Sequence, residues 1–392
     1  MVFSPDSRYF AFDQRGNSVF TIPKPGKKNG VYHPGKKGSR YSCSSGYAST
    51  RTKLTKIKAN GMAGKLRDKR IGFFLCLISF IFLFCGISFA FSQSPPISRT
   101  PTYSGFKEID PALKHFVIIG DTQRTSSWEF WRERNGRERK LIIEEIARRE
   151  PAFVLHLGDL TARGSSVQQW REFDELHKQF LEKKIPYFPI LGNHDLYGNH
   201  VVALQHYFDR FPHLQEKRWY SFVWKGIAVI SVDSNFSSFT KEEKKSQEKW
   251  YLSELQRLEE DRSIGHIIIC CHEPPFTNSR IVRPNSKVKT SFADPFLRYS
   301  KTHFFFSGHS HSYERFQIEG KFFIVSGGGG GPRHQVFTDP RRIRYMDSFQ
   351  GPELRFFHLC EIEFLDGKPA LKVLRLESMG TFSIADQVSV VK

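Results

Sequence analysis

Cysteine is scarce in this chain: six in 392 residues, with Cys43 in an N-terminal tail and Cys76 and Cys85 in an apolar stretch. The other three are Cys270, Cys271 and Cys360. Adjacent side chains on a strand point to opposite faces, so at most one of Cys270 and Cys271 can readily pair with Cys360. No disulfide framework follows, and these thiols are expected to be buried as small apolar residues. Long hydrophobic runs are scarce too. The stretch Ile71 to Phe91, at 21 residues, is long enough to span a bilayer. Acidic residues are outnumbered, 40 against 59 lysines and arginines, giving a net charge of +19. That excess suggests nucleic acid until it is mapped. Residues 1–61 hold twelve basic and two acidic residues, and residues 62–70 hold four and one. Only +6 remains for residues 71–392, so most of the basic excess lies outside the main body of the chain. Nucleic acid is not an expected partner, and deleting residues 1–61 would separate that reading.

The domain organisation follows. Residues 1–61, rich in Lys, Gly, Ser and Tyr without apolar periodicity, read as a disordered basic tail, either upstream of a true start at Met62 or a cytoplasmic tail before an anchor. Residues 62–92 combine a basic run, an apolar core and a cleavage-like Ala90-Phe91-Ser92, the pattern of a signal peptide. The alternative is a retained anchor, with the membrane as partner through residues 71–91. Both leave the domain that follows outside the cytoplasm, periplasmic, secreted or membrane-anchored, because the basic flank stays inside. Residues 93–110, with three prolines, read as a linker, and residues 111–392 as the one folded domain.

Within that domain, short apolar runs begin at His115, Ala152, Tyr187, Ile227, His266 and Thr302. Each is β-branched or aromatic, as in strands covered on both faces. Stretches 136–149, 165–183 and 241–260 carry apolar residues at helical spacing. Alternation of the two predicts an α/β fold. Directly after the runs come Gly120-Asp121-Thr122-Gln123, Gly158-Asp159, Gly192-Asn193-His194-Asp195, Cys271-His272-Glu273 and Gly308-His309-Ser310-His311. Taken singly, Asp121 reads as a helix cap, Asn193 as a turn residue and His272 as a core histidine. Caps and turns have no reason to fall in this order, whereas a dinuclear metal site on strand-end loops does.

The ordered set resembles the calcineurin-like metallophosphoesterase superfamily over roughly residues 112–380, and the block His309 to Arg315 looks nearest its purple acid phosphatase branch. The resemblance implies two packed sheets flanked by helices and a dinuclear centre. In it Asp159 would bridge both ions, Asp121 and His311 would complete the first, and Asn193, His272 and His309 would hold the second. Oxygen and imidazole donors suit two divalent or mixed-valence ions of iron, manganese or zinc. The implied reaction is hydrolysis of a phosphomonoester by a bridging hydroxide, with a phosphodiester as the close alternative. His194, a non-ligand, would donate a proton near the leaving oxygen, and Asp195 either orients it or caps a turn.

Two departures stand out. Gln123 occupies the place of the family's histidine, offering a neutral carbonyl to the first metal. Ala162 replaces the tyrosine expected three residues after the bridging aspartate, so the iron–phenolate chromophore of the purple branch is missing. Arg315, Arg333 and His334 are candidate substrate contacts, with Arg315 equally suited to an ion pair. The glycine run 327–331 borders the substrate pocket or forms a flexible turn. Segment 278–289, with four basic residues, is a surface loop or a phosphate-facing lid. Asp366-Gly367 signals a hairpin. A non-catalytic membrane-tethered binding module is the alternative of another class, disfavoured because His194 and every usual ligand except that at position 123 are present. The sequence carries no signature of an oligomeric state.

Overall fold

The computed structural model describes residues 100–390 apart from positions 127 and 366. The expectations for the tail, for the signal or anchor of residues 62–92, for Cys43, Cys76 and Cys85, and for residues 93–99 lie outside the described residues. Among the described residues, no helix is long and apolar enough to cross a membrane.

Among the described residues, twelve strands form two six-stranded mixed sheets. The first runs β12(Phe382–Ser389)-β11(Lys368–Leu376)-β10(His358–Leu365)-β1(His115–Ile119)-β2(Val154–His156)-β3(Tyr187–Pro189). The second runs β4(Tyr220–Trp224)-β5(Ile227–Ser231)-β6(His266–Cys271)-β7(Thr302–Ser307)-β9(Lys321–Ser326)-β8(Tyr313–Ile318). β1, β2 and β3 are parallel, as are β5, β6, β7 and β9. The sheets share one core, in which Phe116, Val154 and Phe188 of the first meet Val229, Ile268, Phe304 and Ile324 of the second. Each buried Phe or Ile contributes roughly 1.5–3 kcal/mol by leaving water.

Period-two alternation sends Phe305, Ile267 and Ile269 to the other face of the second sheet. There they meet Tyr251, Leu255 and Leu258 of the helix Lys241–Glu260. Cys270 and Cys271 divide the same way between the two cores, and both, with Cys360, are free and fully buried. The first sheet is covered by α1(Gly136–Arg149), through Ile142, Ile143 and Ile146, and by α2(Val167–Leu176), through Trp170 and Phe173.

The helix expected over 165–183 breaks at His177. That residue is buried, and its Nδ1 lies 2.9 Å from the carbonyl of Phe173, giving the chain a side-chain partner where the next helical turn would form. A short helix, Lys178–Glu182, follows. Residues 100–110 differ from the expected linker. Tyr103 is buried among Phe173, Tyr187 and Phe211, and the amide of Tyr187 donates to the carbonyl of Ser104. An aromatic ring in a Pro/Ser/Thr segment is enough to seat it on the domain. β10 and β11 pair antiparallel across the expected hairpin.

Candidate metal centre

The loops leaving β1, β2, β3, β6 and β7 all lie at the carboxyl ends of parallel strands, where open α/β sheets gather their ligands. Asp121, Asp159 and His309 hold left-handed backbone conformations, with φ of 61°, 58° and 64°. For non-glycine residues this geometry is sparsely populated and collects at functional sites. It is fixed here by the loops binding one another. The amide of Asp121 donates to Gly158 O, that of Gln123 to Asp159 O, and that of His309 to the Asp121 carboxylate at 2.9 Å.

The glycine run is part of this frame and not a flexible turn. Gly329 N donates to Gly120 O and Gly331 N to Asp121 O. A Cβ at Gly329 would collide with Gly120 O, and one at Gly327 with Ser310 O. Only glycine lets this strand of backbone lie against the ligand loops.

Two donor sets converge, Asp121, Asp159 and His311 in one and Asp159, His272 and His309 in the other, each within 4.8 Å. Asp159 belongs to both. His311 Nε2 lies 3.4 Å from Asp121 Oδ1, and His272 Nε2 lies 3.4 Å from Asp159 Oδ1. The far ring nitrogens are spoken for: His272 Nδ1 is 2.8 Å from Leu157 O and His311 Nδ1 is 2.7 Å from Pro332 O. Such bonds turn the Nε2 atoms inward, as metal-ligating histidines require. Asn193 Oδ1 is 3.1 Å from His272 Nε2, while its Nδ2 donates to Tyr197 Oη at 2.9 Å.

The donor set fits cations on two observations. Burial opposes charge on His272, yet Asp159 and Asp121 outweigh it and raise its pKa to about 9, while burial and His272 lower His309 to about 3. The cluster thus keeps a proton where a metal ion would take its place. Gln123 gives the second sign. Its Nε2 sits 3.0 Å from Asp159 Oδ2 and 3.2 Å from His311 Nε2, and its buried Oε1 has no partner among the described residues. Turned over, the amide would aim that oxygen into the donor set, an arrangement of acceptors that only a cation holds together.

His194 lies at the rim, half-buried, with Nε2 4.0 Å from Asp159 Oδ2 and Nδ1 3.0 Å from Ala162 O. Asp195 does not orient it. The Asp195 carboxylate is buried and accepts from the amides of Asp159, Gly192 and Thr161 at 2.9–3.0 Å, so it ties the second and third loops together. Burial and the Asp159 charge push its pKa up to about 7. Asp195→Ala would strand three buried amides, each worth about 1–3 kcal/mol. The expected result is a melting temperature lowered by many degrees with or without metal. The control His200→Ala, on the exposed start of the helix His200–Arg210, should melt as the parent does. Equal melting of the two variants would contradict this role for Asp195.

The substrate-contact expectations fare differently. Arg315 is committed to Asp386 on β12 at 2.7 Å, which corrects its reading as a substrate contact. Tyr313 donates to the same carboxylate at 2.8 Å, and Glu314, buried, accepts from Thr277 Oγ1 and Asn278 N at 2.6 Å. The block 313–315 is therefore scaffold. Arg333 is held by Glu133, with its guanidinium over the Phe357 ring. His334 is buried and stacks on His311 at 4.3 Å, which steadies that ring and leaves no edge for a substrate. In segment 278–289 three of the four basic residues are taken up in ion pairs, Lys287 with Glu248, Lys289 with Asp294 and Arg280 with Glu353, as on a surface loop.

Sequence reasoning missed Tyr197, whose ring lies 4.4 Å from that of His194, and the exposed aromatics Trp128, Phe130 and Trp131. Their loop is hooked to the site, since Arg132 donates to Pro332 O, the carbonyl that also holds His311. A Trp-Glu-Phe-Trp run directly after a ligand motif was the available signal.

The profile of the calcineurin-like phosphoesterase family matches residues 114–313. Purple acid phosphatase 1 of Ipomoea batatas is 28% identical over 179 residues, covering 41% of this chain and 36% of that protein. Purple acid phosphatase 21 of Arabidopsis thaliana is 22% identical over 292 residues, 70% of this chain and 62% of that one. The chain thus spans less than two thirds of either relative. Among solved structures, the purple acid phosphatase PPD1 from yellow lupin (Lupinus luteus) seeds superposes with a TM-score of 0.54 at 17% identity, over 71% of this chain and 54% of that one. GAP50, the anchor in the inner membrane complex of Plasmodium, does so at 0.53 and 15%, over 71% and 89%. At these identities the likeness is one of fold.

Proposed function

The chain belongs to the calcineurin-like phosphoesterase family, and from that premise we propose that it hydrolyses phosphate esters, phosphomonoesters first, with its catalytic domain outside the cytoplasm. The observation that carries this reading is Asp159, one carboxylate common to two convergent donor sets. Asp121, Gln123, Asp159 and His311 would hold one ion, and Asp159, Asn193, His272 and His309 the other. Two ions of iron, manganese or zinc, when bound, supply a nucleophile deprotonated near neutral pH and positive charge beside the phosphorus oxygens.

The chain's own residues supply the rest. His194 stands at the open side of the centre with Nδ1 donating to Ala162 O, so that in its imidazolium form Nε2–H is the proton it would hand to the departing ester oxygen. Asn193 is aimed by Tyr197, and His311 by Pro332 and His334. The monoester choice rests on the two curated relatives, both named acid phosphatases. A diester remains the second reading, because Asn193, His194 and His309 are all part-exposed and give an open mouth with room for a second ester arm. Export rests on the pattern of residues 62–92, and intact mass of the native protein checks it.

The test is turnover of 4-nitrophenyl phosphate against bis(4-nitrophenyl) phosphate by the purified full chain with iron, manganese or zinc. A higher kcat/KM on the monoester is expected; no hydrolysis of either with any of the three would sink the reading. Gln123→His should bind the first ion more tightly in a chelator competition, since an imidazole replaces a weak amide donor. Unchanged retention would mean position 123 does not face the metal. With iron, the protein should show no visible tyrosinate band, because Ala162 has no phenol and Tyr313 is tied to Asp386. Tyr197 is the phenol beside the centre. A purple preparation bleached by Tyr197→Phe would assign it as a ligand and overturn the donor list.

A further inference from the structure

Outside the metal centre, a cleft of about 1000 Å³ opens between α1 and α2, and no candidate metal ligand lines it. Its wall begins at the N-terminus of α1, where Asn135 and Gly136 line the cleft and the Asn135 side chain makes no capping hydrogen bond. The Asn135 side-chain amide donates to Gly331 O instead, so the first amides of this 14-residue helix carry no side-chain cap, and the positive end of its dipole lies at the cleft wall.

A second feature points the same way. Arg139 is sunk into this wall, and burial lowers its pKa to about 10, so it stays charged near neutral pH. Its Nε donates to Thr122 O at 2.6 Å, but among the described residues its two terminal nitrogens have no hydrogen-bond partner, and the carboxylate that acts on it, Glu172, is outside ion-pair distance and bound to Arg124. A guanidinium so placed presents its fork to whatever enters.

The charges around it do not cancel. Arg124 pairs with Glu172 and Lys140 with Glu144. Arg134, Arg139, Arg171 and Lys178 have no ion-pair partner among the described residues, and Glu175 is the one lining carboxylate left to oppose them. That imbalance, with a helix N-terminus added, calls for about three negative charges. The volume suits a molecule of nucleotide size.

We propose that this cleft is a second ligand site, distinct from the metal centre, which binds a small molecule carrying a diphosphate or triphosphate. The phosphates lie on the N-terminus of α1 and the fork of Arg139, and Arg171 and Lys178 close the outer side. Occupancy is felt at the metal loop, because Arg139 grips Thr122 O, between Asp121 and Gln123, and its stem lies against Gly330 of the glycine run.

Calorimetry on the purified full chain tests this, with methylenediphosphonate as a non-hydrolysable diphosphate and ADP as the nucleoside form. Arg139→Gln is expected to weaken binding about tenfold or more, and Arg171→Gln several-fold, with hydrolysis of 4-nitrophenyl phosphate unchanged by Arg171→Gln. Arg171 lies on the exposed side of α2, so its variant keeps the test open if Arg139→Gln does not fold. Asp159→Ala, which empties the metal centre under the proposed function, should leave the binding in place. Tighter binding of ADP would assign a nucleoside to the remaining volume, and equal affinity the phosphate chain alone. The proposal is overturned if Asp159→Ala abolishes binding while Arg171→Gln leaves it intact, or if Arg262→Gln, on the surface away from the cleft, weakens it as much as Arg171→Gln. Absence of hydrolysis would count against the proposed reaction and leave this binding result to stand or fall alone.

Discussion

Asp159→Ala should strip the protein of both metal ions and lower phosphoester hydrolysis to background. Asp159 is the shared member of the two donor sets, and its Oδ1 also accepts from the amide of His194 at 2.9 Å. Removing it takes a ligand from each ion and leaves His272, His309 and His311 facing one another without the carboxylate that balances their cations. Asp121→Ala, by contrast, touches one set and should release one ion first. Metal content by elemental analysis, read beside turnover, separates the two. Equal loss from both variants would mean that Asp159 is an ordinary ligand and not the bridge.

His194→Ala should keep both ions and lose turnover by roughly 10²–10⁴, the usual worth of a positioned acid or base. The argument is geometric. His194 Nε2 stands 4.0 Å from Asp159, outside the contacts made by His272 and His311, and its ring rests on Tyr197 at the solvent edge. The loss should fall on kcat, and should shrink for substrates with good leaving groups, which need no proton. A variant that bleeds metal would show His194 to be a ligand after all.

Strands β1, β2, β3, β5, β6 and β7 were legible because buried parallel strands are written as unbroken apolar runs, whereas the antiparallel β4 and β8 were not read. β1 runs His115–Ile119, where an apolar run stands in the sequence, and the helices 136–149 and 241–260 fall where the apolar spacing places them. β12 was not legible: most of its residues are half-buried or exposed, so it carries no run to read. The ligand residues were legible as an ordered set, since each must follow a strand end. The substrate contacts were not. Arg315 and Arg333 sit near ligand motifs in sequence, but whether an arginine is free depends on a distant carboxylate. Asp386 and Glu133, 71 and 200 residues away, took them up. Asp195 was only half legible: the sequence left it between orienting His194 and capping a turn, and its partners in space are the amides of Asp159 and Thr161 on the second loop and of Gly192 on its own.

The number of metal ions held by the purified full chain, measured by elemental analysis together with phosphomonoester turnover, tests the central claim most directly. The account predicts two ions per chain, with activity lost as they are chelated and restored as they return. A protein that hydrolyses its substrate with one ion or none, or that holds two ions which Asp159→Ala leaves in place, would contradict it.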